Sequence, residues 1–165
     1  MNKMKKILFI IALTLLTVST FAQDGRSIYN RYSDLETVEA VYISPAMFRL
    51  IGRVPDLNVE NEDGTKTDLS PLIQSLTGFY LVSTSDASVK ERLDKDVQAF
   101  MDKGHYELLM EAKDHGEKTR IYTVGDEKFV TSLVMIALAG DETSFICLDG
   151  KIRQSDIDKL AEKVR

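Results

Sequence analysis

The most constraining feature of this chain is a change of hydrophobic period at Gly104. Before it, Val89, Leu93, Val97, Phe100 and Met101 recur at intervals of three and four, the spacing of one helix face, with Ser85 and Asp86 placed to cap the start and Gly104 to stop the end. After it the pattern alternates: Tyr106, Leu108, Met110 and Ala112 are interleaved with His105, Glu107, Leu109 and Glu111, "DHGE" makes a turn, and "KTRIYTV" runs on. A long apolar strand, "KFVTSLVMIALAG", then turns at "DET" into "SFICLDG". Four consecutive strands joined by short turns pair antiparallel, because a parallel neighbour needs a crossover of a dozen or more residues.

The upstream half supplies helices and two more strands. "DGRSIYNRYSDLE" has helical spacing at Ile28, Tyr29, Tyr32 and Leu35, and "TVEAVYIS" (Thr37 to Ser44) is a β-branched strand. Ser44 followed by Pro45 is an N-cap with proline in the first helical turn, so "AMFRLIGRV" is a helix. Its apolar residues Met47, Phe48, Leu50, Ile51 and Val54 cover more than half of its surface, so other protein is expected to cover it. Pro55 to Thr67 is polar, contains Asp63-Gly64 and reads as an exposed loop or small flap; "DLSPLIQSL" adds a helical turn before the strand "GFYLVST". The closing "SDIDKLAEKV" has Ser155 and Asp158 as a capping-box-like pair, with Ile157, Leu160 and Val164 toward the core. These elements predict an α+β fold: a mostly antiparallel sheet, built from a four-strand C-terminal meander plus two earlier strands, with helices packed on one face. Because helices separate the two earlier strands, a parallel neighbour for them is also allowed.

The N-terminus decides where such a fold is expected to work. "MNKMKK" is followed by uncharged "ILFIIALTLLTVSTFAQ", ending in Thr20-Phe21-Ala22. This matches a secretory signal peptide over residues 1–22, cleaved between Ala22 and Gln23, better than a membrane anchor, which needs about 20 undiluted apolar residues. The 143 residues 23–165 then suit one α+β domain with one core. Loss of Lys3, Lys5 and Lys6 moves the formal charge from −5 to −8. An acidic product without a basic run is a poor partner for nucleic acid or anionic lipid, and stable membrane insertion is not expected once the signal is gone. The periplasm is the expected location, with the extracellular space as the alternative. Cys147 stands alone, so no internal disulfide can form, and it alternates in phase with Phe145, which suits a buried thiol better than a nucleophile.

The chain's two histidines invite a chemical reading, since "GHYELLMEAKDHGEKTRIYTV" sets His105 and His115 near Glu107, Glu111 and Asp114. On a strand at about 3.3 Å per residue they stand roughly 33 Å apart, whereas ligands to one zinc place nitrogens about 2 Å from the same ion. Solvated imidazoles are the better reading. "VENEDGTKTDLS" sets Asn61, Asp63 and Gly64 at the third, fifth and sixth places of a calcium loop, but Val59 and Ser70 stand where a ligand and a bidentate glutamate belong. A surface turn fits better, with weak calcium binding left open. No nucleophile elbow, P-loop, dinucleotide fingerprint, zinc-protease or C-x-x-C motif occurs. Asp94 with Asp96, and Asp156 with Asp158, read as solvated helix charges. No catalytic, cofactor or metal residue is therefore assigned, and no cofactor is expected. The aromatic residues Tyr42, Phe48, Phe79, Phe100, Tyr122 and Phe145 fall on the apolar periods and read as core.

The ordered blocks "YSDLETVEAVYIS", "AMFRLI", "GFYLVSTSD", "GHYELLMEAKDHGEKTRIYTV", "LVMIALAGDETSFICLDGKI" and "SDIDKLAE" resemble an uncharacterised domain family of Bacteroidetes envelope proteins, domain of unknown function 4252. The resemblance implies a small exported domain without an established activity, and it carries no catalytic residues to transfer. Some relatives look like lipoproteins; this sequence has no cysteine near the expected cut after Ala22. The resulting expectation is a non-enzymatic interaction module of the envelope, with another envelope protein as partner and a contact surface at Met47, Phe48, Ile51, Val54 and Asp63. The alternative is a small-ligand carrier or enzyme with a pocket near His105 and Arg120.

Overall fold

In the computed structural model the described residues are 25–53, 58–60, 64 and 66–157. The elements are α1 (Arg26–Tyr32), β1 (Val38–Ile43), α2 (Pro45–Ile51), β2 (Asn58–Glu60), β3 (Lys66–Asp68), α3 (Ser70–Ser75), β4 (Leu76–Thr84), α4 (Ala87–Gly104), β5 (Glu107–Asp114), β6 (Glu117–Gly125), β7 (Phe129–Ala139) and β8 (Glu142–Arg153). Residues 154–157 are again helical. Ala22 and Gln23 of the expected cleavage site, Val54, Asp63, and Asp158, Leu160 and Val164 of the closing helix lie outside the described residues.

The sheet has the order β1-β4-β8-β7-β6-β5, so the meander β5 to β8 forms one side and the two earlier strands complete the other. Every pairing in it is antiparallel. The parallel neighbour that the sequence allowed does not occur: β1 takes the edge and runs opposite to β4, with Tyr42 facing Tyr80. That register stacks the two rings, with centroids 5.3 Å apart, and Tyr29 from α1 packs on both. The aromatic contacts thus hold α1 across the β1–β4 pair.

One face of the sheet carries the core. Tyr80 and Val82 of β4, Val134 of β7 and Phe145 and Cys147 of β8 meet Ile28 and Tyr32 of α1 and the α4 stripe Val89, Leu93, Val97, Phe100 and Met101. Burying a side chain of that size contributes about 1.5–3 kcal/mol, so the α4 stripe is a main source of stability. Asp86 caps α4 by accepting from the amides of Ser88 and Val89 at 3.0 and 2.9 Å. At the other end the left-handed residue is His105, with φ 56°, and not Gly104, which stays helical. Histidine tolerates this conformation better than most residues.

Two further readings need correction. Asp96 is not a solvated helix charge, because it accepts the Tyr32 hydroxyl at 2.7 Å and pairs with Arg31 at 2.7 Å, joining α4 to α1. Nor do Tyr106, Leu108, Met110 and Ala112 share one face. Leu108 faces Tyr122 while Met110 faces Ile121, so a bulge at Leu109 puts Leu108 and Met110 on opposite sides of the sheet. Within the stretch read as a loop or small flap, Pro55 to Thr67, β2 pairs with β3 as a separate two-stranded ribbon.

Candidate functional site

β5 is the outermost strand on the meander side, and all eight of its residues are exposed. Among them Leu108, Leu109 and Met110 are 53%, 59% and 46% exposed. An edge strand presents a row of outward backbone groups, and apolar side chains beside that row favour docking of another strand. The signal for this edge was present in the sequence as three consecutive apolar residues, a run that strict alternation cannot bury. Reading every second residue as inward concealed it.

The turn that ends β5 is built from His115 and Gly116, both in the left-handed region with φ of 44° and 93°. Two positive-φ residues between Asp114 and Glu117 match the twist of a tight hairpin. Next to the turn, Glu111 gathers three cations: Lys113 Nζ at 3.0 Å, Lys118 Nζ at 3.1 Å and Arg120 Nε at 3.0 Å. Hydrogen bonds from Lys113 and then Lys118 pull its carboxyl down to about 2. Arg120 also donates to the Tyr122 hydroxyl at 3.4 Å. Cation clusters of this kind lock a carboxylate in its charged form and hold β5 on β6, but they leave no base able to take up a proton near neutral pH.

A groove of about 470 Å³ opens at the start of β5, where His105, Leu109, Thr123, Leu133 and Ile157 are among its walls. It has an apolar floor and an acidic rim that includes Glu107 and Glu127. Arg120 does not join it. Thr123 and Leu133 point to the sheet face opposite Arg120 and Tyr122, so the structure separates the histidine from the arginine. The two histidines also stay apart, His105 before β5 and His115 after it. Both are exposed, and His115 Nδ1 contacts the Asp114 carboxylate.

A second cavity, of about 500 Å³, lies at the far side of the sheet among Glu36, Glu39, Ser83, Asp86 and Glu142. Two of its carboxylates have internal roles: Asp86 caps α4, and Glu142 accepts from the hydroxyls of Ser83 and Ser144. Among the described residues no three His, Cys, Asp or Glu side chains converge as metal ligands.

The buried polar groups form a chain through the core. Tyr106 donates to Ser132 at 2.9 Å, Ser132 lies 3.3 Å from Cys147 Sγ, and Cys147 lies 3.4 Å from Asp149, which also accepts the Gly25 amide at 2.8 Å. Burial, reinforced by the Asp149 charge, pushes the Cys147 thiol well above its ordinary range. Only a thiolate attacks, so this fully buried sulfur is a structural one.

Of the contact surface expected from sequence, Phe48 is buried and cannot meet a partner directly, while Ile51 is partly buried. The outward residues of α2 are Met47 and Leu50, 49% and 61% exposed. Val54 and Asp63 have no described position. No helix among the described residues is long and apolar enough to cross a membrane.

The family model for a domain of unknown function, DUF4252, matches residues 32–160, which runs from Tyr32 at the end of α1 past β8. No curated protein and no solved structure matches the chain.

Proposed function

The chain belongs to the DUF4252 family, and from that premise we propose that it is an exported, non-enzymatic interaction module of the bacterial envelope. The observation that carries this reading is the exposed β5 edge with Leu108, Leu109 and Met110 beside an unpaired row of backbone groups. A partner that adds a strand there satisfies those groups and covers the leucines in one step. The lysine-tipped apolar leader supports export to the periplasm, with release outside the cell as the alternative destination. The outward side of α2, at Met47 and Leu50, is a second contact surface under the same reading.

A photo-crosslinking residue at Leu109 in cells, with one at Lys95 on the exposed side of α4 as control, tests the proposal. A protein adduct at position 109 and none at 95 is the expected result, with mass spectrometry of the isolated chain finding Gln23 as its first residue. A chain that carries its leader, or yields no adduct at 109, overturns it. The groove beside His105 favours a second reading, a carrier of a small apolar ligand with a cationic end. Co-extraction of such a molecule with the native protein is its direct test.

A further inference from the structure

We propose that the partner of β5 is β5 of a second copy of this chain, paired antiparallel in one register symmetric about Ala112. The inference rests on the interaction reading above and specifies its partner.

The register follows from which backbone groups face outward. In a two-residue hairpin the residues flanking the turn, Asp114 and Glu117, are a hydrogen-bonded pair, and pair types alternate along the ladder. Asp114, Ala112 and Met110 therefore turn their N–H and C=O toward β6. Lys113 and Glu111 turn theirs outward, to the free edge. Between the bulge at Leu109 and the turn at His115, these are the edge-directed residues available to another strand.

A two-fold axis on that stretch can be centred in one of three ways. Centring on Glu111 sets two carboxylates opposite each other, and centring on Lys113 sets two ammonium groups opposite each other. Centring on Ala112 sets Glu111 against the partner subunit's Lys113 and Lys113 against the partner subunit's Glu111, so both cross-strand pairs are unlike charges. Opposite charges directly across a ladder stabilise it and like charges oppose it, so the Ala112 register is the self-complementary one. Each of these pairs also exchanges both of its backbone hydrogen bonds.

The charges can make the exchange without leaving a carboxylate bare. Lys113 is 65% exposed and bonds its own Glu111 at 3.0 Å, and Glu111 keeps Lys118 and Arg120 when Lys113 reaches across. On the opposite sheet face Met110 stands across from the partner subunit's Asp114, with the partner subunit's Ala112 as its diagonal neighbour, so the charge pairs on the Glu111 face and not apolar contact select the register. The bulge limits the contact to the stretch before the turn, which favours a reversible dimer over a growing sheet.

Sedimentation velocity on the leader-free full chain, with Lys113→Glu, Glu111→Lys, the double exchange and Lys113→Pro, tests the register. The wild-type chain is expected to dimerise, each single exchange to weaken the dimer about tenfold or more, and the double exchange to restore it. Lys113→Pro removes an outward N–H, leaves the β5–β6 ladder intact and is expected to abolish the dimer. Far-ultraviolet circular dichroism establishes that each variant is folded. A wild-type chain that stays monomeric, or a dimer indifferent to both single exchanges, overturns the proposal. If such a monomer still crosslinks from position 109 to a different envelope protein, homotypic pairing falls and the interaction module stands. If the dimer and its rescue appear but no adduct forms at 109 in cells, the pairing stands and the envelope role falls.

Discussion

Tyr32 and Asp96 join the first helix to the long one: the phenol donates to the carboxylate at 2.7 Å, and Arg31 closes on the same oxygen at 2.7 Å. Burial together with the neighbouring carboxylate holds the Tyr32 phenol above its ordinary value. Burial alone would raise Asp96 as well, but hydrogen bonds from Arg31 and Tyr32 outweigh it and the net shift is downward. Tyr32→Phe is expected to lower unfolding free energy by about 1 kcal/mol, and Asp96→Ala by about 1–3 kcal/mol because it leaves a buried donor without that acceptor. Arg31→Ala is expected to cost under about 1 kcal/mol, since the guanidinium end of the pair is largely exposed. Urea denaturation of the three variants measures the order, and an arginine effect larger than the aspartate effect contradicts it.

Acid sensitivity follows from the same sign. Glu111 is drawn down to about 2 from 4.5, and Asp96 is also lowered, so each stabilises the fold fully above its unfolded value and loses that contribution as pH falls through its folded one. Urea midpoints are expected to decline from about pH 4.5 toward pH 2. Glu111→Gln is expected to flatten that decline, and an unchanged slope would exclude Glu111 as a source of it.

Two left-handed positions, His105 and Gly116, predict opposite effects of exchanging a side chain and glycine. His105→Gly relieves a left-handed side chain at the end of α4 and is expected to raise stability by about 0.5–1 kcal/mol. Gly116→Ala puts a Cβ at φ 93° and is expected to lower it by about 1 kcal/mol or more. Thermal unfolding reads both, and a destabilised His105→Gly would show that the imidazole has a structural partner.

Packing around Cys147 gives a sharper test. A Cβ added at Gly25 would stand 2.5 Å from Cys147 Cβ and 2.6 Å from its sulfur, so Gly25→Ala is expected to destabilise by about 1–3 kcal/mol. The thiol of the native chain should resist alkylation until the domain unfolds. Labelling with iodoacetamide at a rate independent of urea below the transition would contradict its burial.

On α2 the contrast lies between neighbours. Phe48→Ala is expected to cost about 3–5 kcal/mol, while Leu50→Ala should leave stability within about 0.5 kcal/mol. Equal effects in chemical denaturation would mean the helix is covered on both sides.

Apart from the β2–β3 ribbon, whose residues read only as a polar loop or flap, element types and their order were legible from residue spacing, because periods of two and 3.6 are consequences of local backbone geometry and of one side facing away from water. The α4 stripe, the Ser44 and Asp86 caps and the four-strand meander all follow from that, as does the buried phase of Cys147 beside Phe145. Part of the candidate site was readable too, since Leu108 to Met110 interrupt a polar alternating strand. Spacing carries no information about which neighbour a strand takes. Only tertiary structure placed β1 antiparallel at the far edge, bulged β5 at Leu109 so that Leu108 and Met110 part company, turned Asp96 toward Tyr32 and set Gly25 against Asp149. Each of these depends on groups distant in the chain meeting in one packed core, where steric fit and the pairing of buried polar atoms, absent from any local pattern, choose among arrangements of equal periodicity.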